Sequence, residues 1–295
     1  MALVSKWAET SALGGFQGPA HWARPAWRPT GSPARLVYVV AGAFPDGSGL
    51  RIDRALKDSP VAAALQARLV TREANAAFVS NWSSGAFGAL LKDQLGAEAA
   101  EKAAAAPAVL FLQAEIPDPK DLGYLRDALQ LLTRALNEHS VAVLDMYGAH
   151  WLTPDTVRHA ATSTGFRVRE HLYIVAAKDE RGGLWMHTRG AIKLGRPEIE
   201  IRGIRPDARA LKGAALVLEG ALKLLAEGLD PTDGGNYAMH GFTNHFTVVT
   251  SPDDSQSTQY YKNRSVALYD CNALTGKPEQ VLSALLGEAE QRVKA

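Results

Sequence analysis

AVLFLQAEIPDPKDLGYLRDALQLLTRALNEHSVAVLDMYG, residues 108–148, decides the fold class. AVLFLQAE at 108–115 and VAVLDMYG at 141–148 are apolar runs of strand length, suited to burial on both faces. Between them Leu122, Leu125, Leu129, Leu132 and Leu136 recur at three- and four-residue steps, which lays one apolar stripe along a helix. Strand, amphipathic helix, strand predicts a βαβ crossover whose two strands pair in parallel.

Upstream, RLVYVVAGA (35–43) reads as a strand ended by the turn residues FPDGSG. PVAAALQARLV (60–70) predicts a short helix, EANAAFVSNW fits helix or strand, and AEAAEKAAAA (97–106) predicts a surface helix. Downstream, Thr153 and Pro154 fit the cap and first position of a helix that closes at Gly165. FRVREHLYIVAAKDERGGLWMHTRG reads as a hairpin turning near Gly182 and Gly183, and PEIEIRG alternates as a half-exposed strand does. RPDARALKGAALVLEGALKLLAEG is a second amphipathic helix with Gly228 suited to its C-terminal cap. NHFTVVT and RSVALYD read as late strands before a closing helix, PEQVLSALLGEAEQRVK. The expectation is an α/β or α+β fold with a mixed sheet, a βαβ unit and packed amphipathic helices.

Residues 1–34 differ from the rest: GFQGPAHWARPAWRPTGSP is rich in tryptophan and proline and has no helical or alternating period. It reads as an extended arm whose Trp7, Trp22 and Trp27 pack on the protein's own surface or on a partner. Residues 35–295 then form one globular domain, divisible into lobes 35–165 and 166–295.

With 32 lysines and arginines against 31 acids, the formal net charge of +1 offers no overall field for a polyanion, so a nucleic-acid role is disfavoured. Cys271 is the only cysteine, which excludes an intrachain disulfide and a thiolate-rich zinc site. No secretory signal or long apolar span is present, so a cytoplasmic location without membrane contact is expected.

Two tracts concentrate reactive residue types. In LWMHTRGAIKLGRPEIEIRG (184–203), strand alternation puts Trp185, His187 and Arg189 on one face. One reading is a ribbon whose charges pair across strands and whose glycines meet backbone demands. The sharper reading makes His187, Arg189 and Arg196 an anion-binding cluster, arginine being shaped to grip carboxylate or phosphate. In DPTDGGNYAMHGFTNHF (230–246), His240 and His245 stand among carboxylates and amides, but five apart and with no HExxH in the chain. A polar loop leading into a strand explains them, and neither a metal nor a cofactor is expected. NWSSGAFG (81–88) lacks the hydrolase elbow, and Ser83 or Ser84 reads as a helix cap; no dinucleotide or phosphate loop occurs.

WMHTRGAIKLGRPEIEI resembles a family of uncharacterised bacterial proteins that share Trp-x-His-Thr-[His/Arg]-Gly followed by Gly-x-Pro-Glu. Trp185, His187, Thr188, Gly190, Gly195, Pro197 and Glu198 are the matching residues, and the likeness extends over roughly 140–270. It implies no reaction or cofactor, and Arg189 stands where that family's second histidine falls. Two functions are expected: a cytoplasmic binding or accessory protein, for example immunity-like, that meets a protein partner through the arm; or a small-molecule, hydrolase-like enzyme. In the second, residues 185–198 and 236–246 lie on adjacent strands, and ligand contacts come from Trp185, His187, Arg189, Arg196, Glu198, His240 and His245.

Overall fold

The computed structural model describes residues 22–47, 56–178, 182–231, 235–238, 245–250, 265–270 and 278–294. Trp7, His240 and Cys271 lie outside them. The described chain is an α+β fold built on two sheets.

The first sheet holds β1 (Ala34–Gly42), β2 (Gln66–Thr71), β3 (Ala108–Ile116), β4 (Ser140–Asp145) and β5 (His150–Leu152), in the order β2-β3-β1-β4-β5. β1 lies antiparallel to both of its neighbours, with Tyr38 opposite Leu112 on one side and Asp145 on the other. The helix Gly123–Ala135 joins β3 to β4, and these strands point the same way, but β1 separates them. The expected hydrogen-bonded parallel pair is therefore replaced by a split βαβ unit. β1 is buried along almost its whole length, so the centre of the sheet is where its apolar residues are best covered on both faces.

One face of this sheet, with Val39, Val109, Leu144 and Trp151, packs under helices α2 (Ala76–Asn81), α3 (Gly85–Leu95) and α4 (Ala97–Ala104). The other face, with Leu36, Val40, Leu110 and Val143, joins a larger core that includes α1 (Pro60–Ala64), α5 (Gly123–Ala135) and α6 (Pro154–Ala161). The helix expected over 60–70 stops after α1 because Ala67, Leu69 and Val70 pair with β3 instead. A short helix, α7 (Val168–His171), replaces the start of the expected hairpin.

The second sheet runs β6-β7-β8-β11-β10-β9, from β6 (Tyr173–Lys178), β7 (Leu184–Arg189), β8 (Glu198–Ile204), β9 (Asn236–Ala238), β10 (His245–Thr250) and β11 (Ser265–Asp270). It is mixed: β8 and β11 are parallel, and the other pairs are antiparallel. Met186, Ile199, Ile201 and Phe246 enter the same large core, which α8 (Ala208–Glu227) and α9 (Pro278–Lys294) cover with Leu218, Leu222, Leu282 and Leu285. One continuous core thus spans both sheets.

Residues 22–34 are built into this body. The Trp22 ring meets Phe166 and His171 edge-on at 5.7 and 5.9 Å, and its carbonyl accepts from the Leu122 amide. Arg24 donates to the carbonyls of Pro119 and Leu225, and the Ala26 amide donates to Glu227. The segment straps the loop before α5 to the end of α8. Gly228 caps α8 at φ +105°, and a Cβ there would stand 2.5 Å from Trp27 Cα. Gly228→Ala is expected to cost about 1–3 kcal/mol through this conformation and collision, read as a lower midpoint in urea unfolding.

Candidate functional site

β7 and β8 form the ribbon expected at 184–203, with His187 opposite Glu200 and a single 3-10 turn, Ala191–Leu194, between them. Gly190 and Gly195 bracket that turn at φ +97° and +64°, values that glycine adopts without strain. The charged face of β8 is not half-exposed. Glu198 and Glu200 are buried, as are Trp185, His187 and Thr188. Alternation correctly separates the two faces, but both faces are covered, which no local period can report.

The buried carboxylates are held by their neighbours. Glu200 accepts from Trp185 Nε1 at 2.8 Å and from Arg202 Nε and Nη2 at 2.8 and 3.2 Å, while the Arg202 guanidinium lies 5.2 Å above the Trp185 ring. The His187 ring sits 4.1 Å from Trp185, and its Nδ1 donates to the Thr188 carbonyl at 3.1 Å. Burial, reinforced by Arg189, pushes His187 down to about 3, so it is neutral at physiological pH. Glu198 accepts from Thr188 Oγ1 at 2.7 Å and the Gly190 amide at 3.0 Å. Burial nevertheless pushes its carboxyl up to about 7, against the pull of Arg189.

Arg196 points elsewhere. It is fully buried and donates to Thr30 Oγ1, Arg28 O, Gly195 O and Gly228 O at 3.0–3.1 Å, with Asp118 at 3.4 Å. Asp118 also takes the Thr30 and Gly31 amides and Trp27 Nε1. Although burial opposes it, this set holds Asp118 below the usual carboxylate range. Arg196 is thus a clamp on the strap and does not join Arg189 and His187 in one anion cradle.

His187 and His245 lie on β7 and β10, with β8 and β11 between them. Adjacent-strand convergence is therefore not met for this pair: three strand spacings put their backbones on the order of 14 Å apart. Among the described residues no group of three His, Cys, Asp or Glu is placed to hold a metal ion.

The fold also brings together residues that the sequence does not connect. Lys193, on the 3-10 turn, forms a fully buried ion pair with Asp145 at the end of β4, joining the two sheets. Tyr124 donates to the Lys193 carbonyl, the Gly148 amide donates to Asp145 at 3.0 Å, and Lys193 Nζ lies 5.8 Å from the Tyr173 ring centre. His150 stacks on Tyr173 at 4.1 Å; burial, offset by Asp145 and reinforced by Lys193, pushes it down to about 4. Ala149, beside it, is the one non-glycine residue with positive φ among the described residues, at +50°.

A second unforeseen grouping is at the surface. Phe78, Trp82, Phe87 and Phe111 are partly exposed and form one aromatic patch over the first sheet, with Trp82 5.8–6.0 Å from each of the other three rings. The spacing Phe78, Trp82 in EANAAFVSNW is the only linear sign of it. In the neighbouring NWSSGAFG, Ser84 stands at the N-cap of α3, as its position suggests, but its side chain makes no capping bond.

No family model matches this chain, and neither a curated protein nor a solved structure matches it. Among the described residues no helix is long and apolar enough to cross a membrane.

Lys193→Met is expected to cost about 3–5 kcal/mol by leaving Asp145 charged and buried, and Lys193→Met with Asp145→Leu to recover part of it in chemical denaturation. Glu198, raised from 4.5 to about 7, binds its proton more tightly folded than unfolded, so it stabilises at low pH and loses roughly 3 kcal/mol as pH climbs through that window. The depressed His187 works in the opposite sense, withdrawing stability as pH falls from 6.5 towards 3. Unfolding free energies of wild type and Glu198→Gln between pH 4.5 and 7 separate the two: only the variant should lack the loss on the alkaline side.

Proposed function

We propose that the chain is a cytoplasmic binding or accessory protein, immunity-like in being a non-catalytic partner, that works through protein–protein contacts. The observation that carries this reading is the aromatic patch of Phe78, Trp82, Phe87 and Phe111, partly exposed on α2, α3 and β3. Clustered aromatic side chains with an arginine at their rim are the usual anchors of protein interfaces, and here Arg68 lies 5.6 Å over Phe78. The tract 185–200 supports the same reading, because Glu198, Glu200 and Arg196 are taken up by Thr188, Trp185, Arg202 and the strap. The strap also supports shifting the partner surface away from residues 22–34, which are occupied within the molecule.

A second reading, a small-molecule enzyme, keeps one specific support: buried ionisable groups with displaced pKa values, Glu198 and His187 above all, gather on β7 and β8. The resemblance of 185–198 to an uncharacterised bacterial family adds no reaction to either reading. A thermal-shift screen against divalent metals and anionic metabolites tests the enzyme reading, since any ligand selective for the folded state raises its midpoint.

For the binding reading, the full chain and its Trp82→Ala variant are used as bait in extract of the source cells. A partner retained by wild type and by Trp185→Phe, and lost at least ten-fold with Trp82→Ala, supports the proposal; equal retention by all three, or no retention, overturns it.

A further inference from the structure

The aromatic patch adjoins β2, the outer strand of the first sheet among the described residues. Gln66, Ala67, Arg68 and Thr71 on that strand are exposed. A sheet edge displays a row of backbone donors and acceptors that another strand can satisfy. β2 carries no proline, and its one charged residue is Arg68.

Register against β3 defines which side chains face the patch. Arg68 is opposite Phe111 and Val70 is opposite Val109, so Arg68 and Val70 share the face on which Phe78 and Trp82 lie. Val70 is buried beneath that face, whereas the Arg68 guanidinium stands over the Phe78 ring and makes no ion pair among the described residues. The edge therefore presents, in strand period, a cation with no ion-pair partner among the described residues, followed by an apolar position backed by aromatic rings.

We infer that β2 is a docking edge for an extended segment of a partner protein that adds to the sheet as a further strand, placing a carboxylate opposite Arg68 and an apolar side chain two residues away, against the Phe78–Trp82 rings. This rests on the protein-binding reading above and names the chemistry of the partner segment. Main-chain hydrogen bonds to β2 supply affinity that is blind to sequence, and the alternating side chains supply selectivity. The carboxylate meets a cation already oriented by its aromatic neighbour, so charge complementarity chooses the acidic segment over a basic one.

The probes are end-blocked nonapeptides in a serine–threonine background that carry one glutamate and, two residues on, one leucine, together with counterparts that replace the glutamate by lysine or the leucine by serine. Binding is read from amide shifts of β2 in the full chain and from the fluorescence change that Trp82→Phe removes. The glutamate–leucine peptide should bind at least ten-fold more tightly than either counterpart. Arg68→Glu, at an exposed position, should leave the chain folded, with only the small loss of its contact with the Phe78 ring, and reverse the glutamate–lysine preference. Ala67→Pro, which deletes an edge donor, should weaken all peptides. Equal affinity for the glutamate and lysine peptides, shifts centred outside β2, or no peptide binding overturns the inference. If a captured partner is lost with Trp82→Ala but survives Arg68→Glu and Ala67→Pro, the binding role stands and the β2 edge falls.

Discussion

The ion pair of Lys193 with Asp145 is the contact on which the arrangement of the two sheets depends. Lys193 belongs to the 3-10 turn between β7 and β8, Asp145 ends β4, and both are removed from water. Desolvating two charges costs several kcal/mol per ion, so such a pair persists only where its geometry and surrounding donors are complete. Here the Gly148 amide serves Asp145, and Tyr124 fixes the backbone of the turn through the Lys193 carbonyl. Apolar packing could join the sheets in several orientations; a buried charge pair tolerates far fewer, because any slip leaves a charge without its counterpart.

The same logic runs through the turn's flanks. Arg196, Glu198 and Glu200, all following the turn, are surrounded by donors or acceptors from different parts of the chain: β7 for the two glutamates, and the loop before α5, the end of α8 and the strap for Arg196. Residues that look reactive in a linear reading therefore hold separate pieces of the fold together. The strap completes this set, since Arg24, Trp22 and Trp27 lock the loop before α5 against α8. The aromatic rings above β2 and β3, by contrast, are only partly buried.

Much of the architecture was legible in linear patterns. The leucine spacing of α5 and of α8, the Thr153–Pro154 start of α6, the Gly228 cap and the antiparallel β6–β7 ribbon follow from periods and turn residues that act over a few positions. The separation of β3 from β4 was not, because β1, some seventy residues before β3 in sequence and on the order of one strand spacing away in space, inserts between them. Of the candidate site residues, Trp185, His187, Arg189, Glu198 and Arg196 sit on one ribbon and its turn, yet Arg196 turns to the strap and His245 lies beyond two intervening strands.

By itself, then, the sequence determined most of the helices and strands, that the fold mixes both, and the apolar stripe of the long helices, because these depend on side-chain period and local backbone geometry; it did not show that residues 66–71 leave the helix to pair with β3. Only the tertiary structure decided that the charged face of β8 is buried, that Lys193 meets Asp145, and that Phe78, Trp82, Phe87 and Phe111 share one surface. Those outcomes rest on contacts between distant stretches of chain, and the free energy of a buried charge or a clustered ring is set by whatever the rest of the molecule brings beside it.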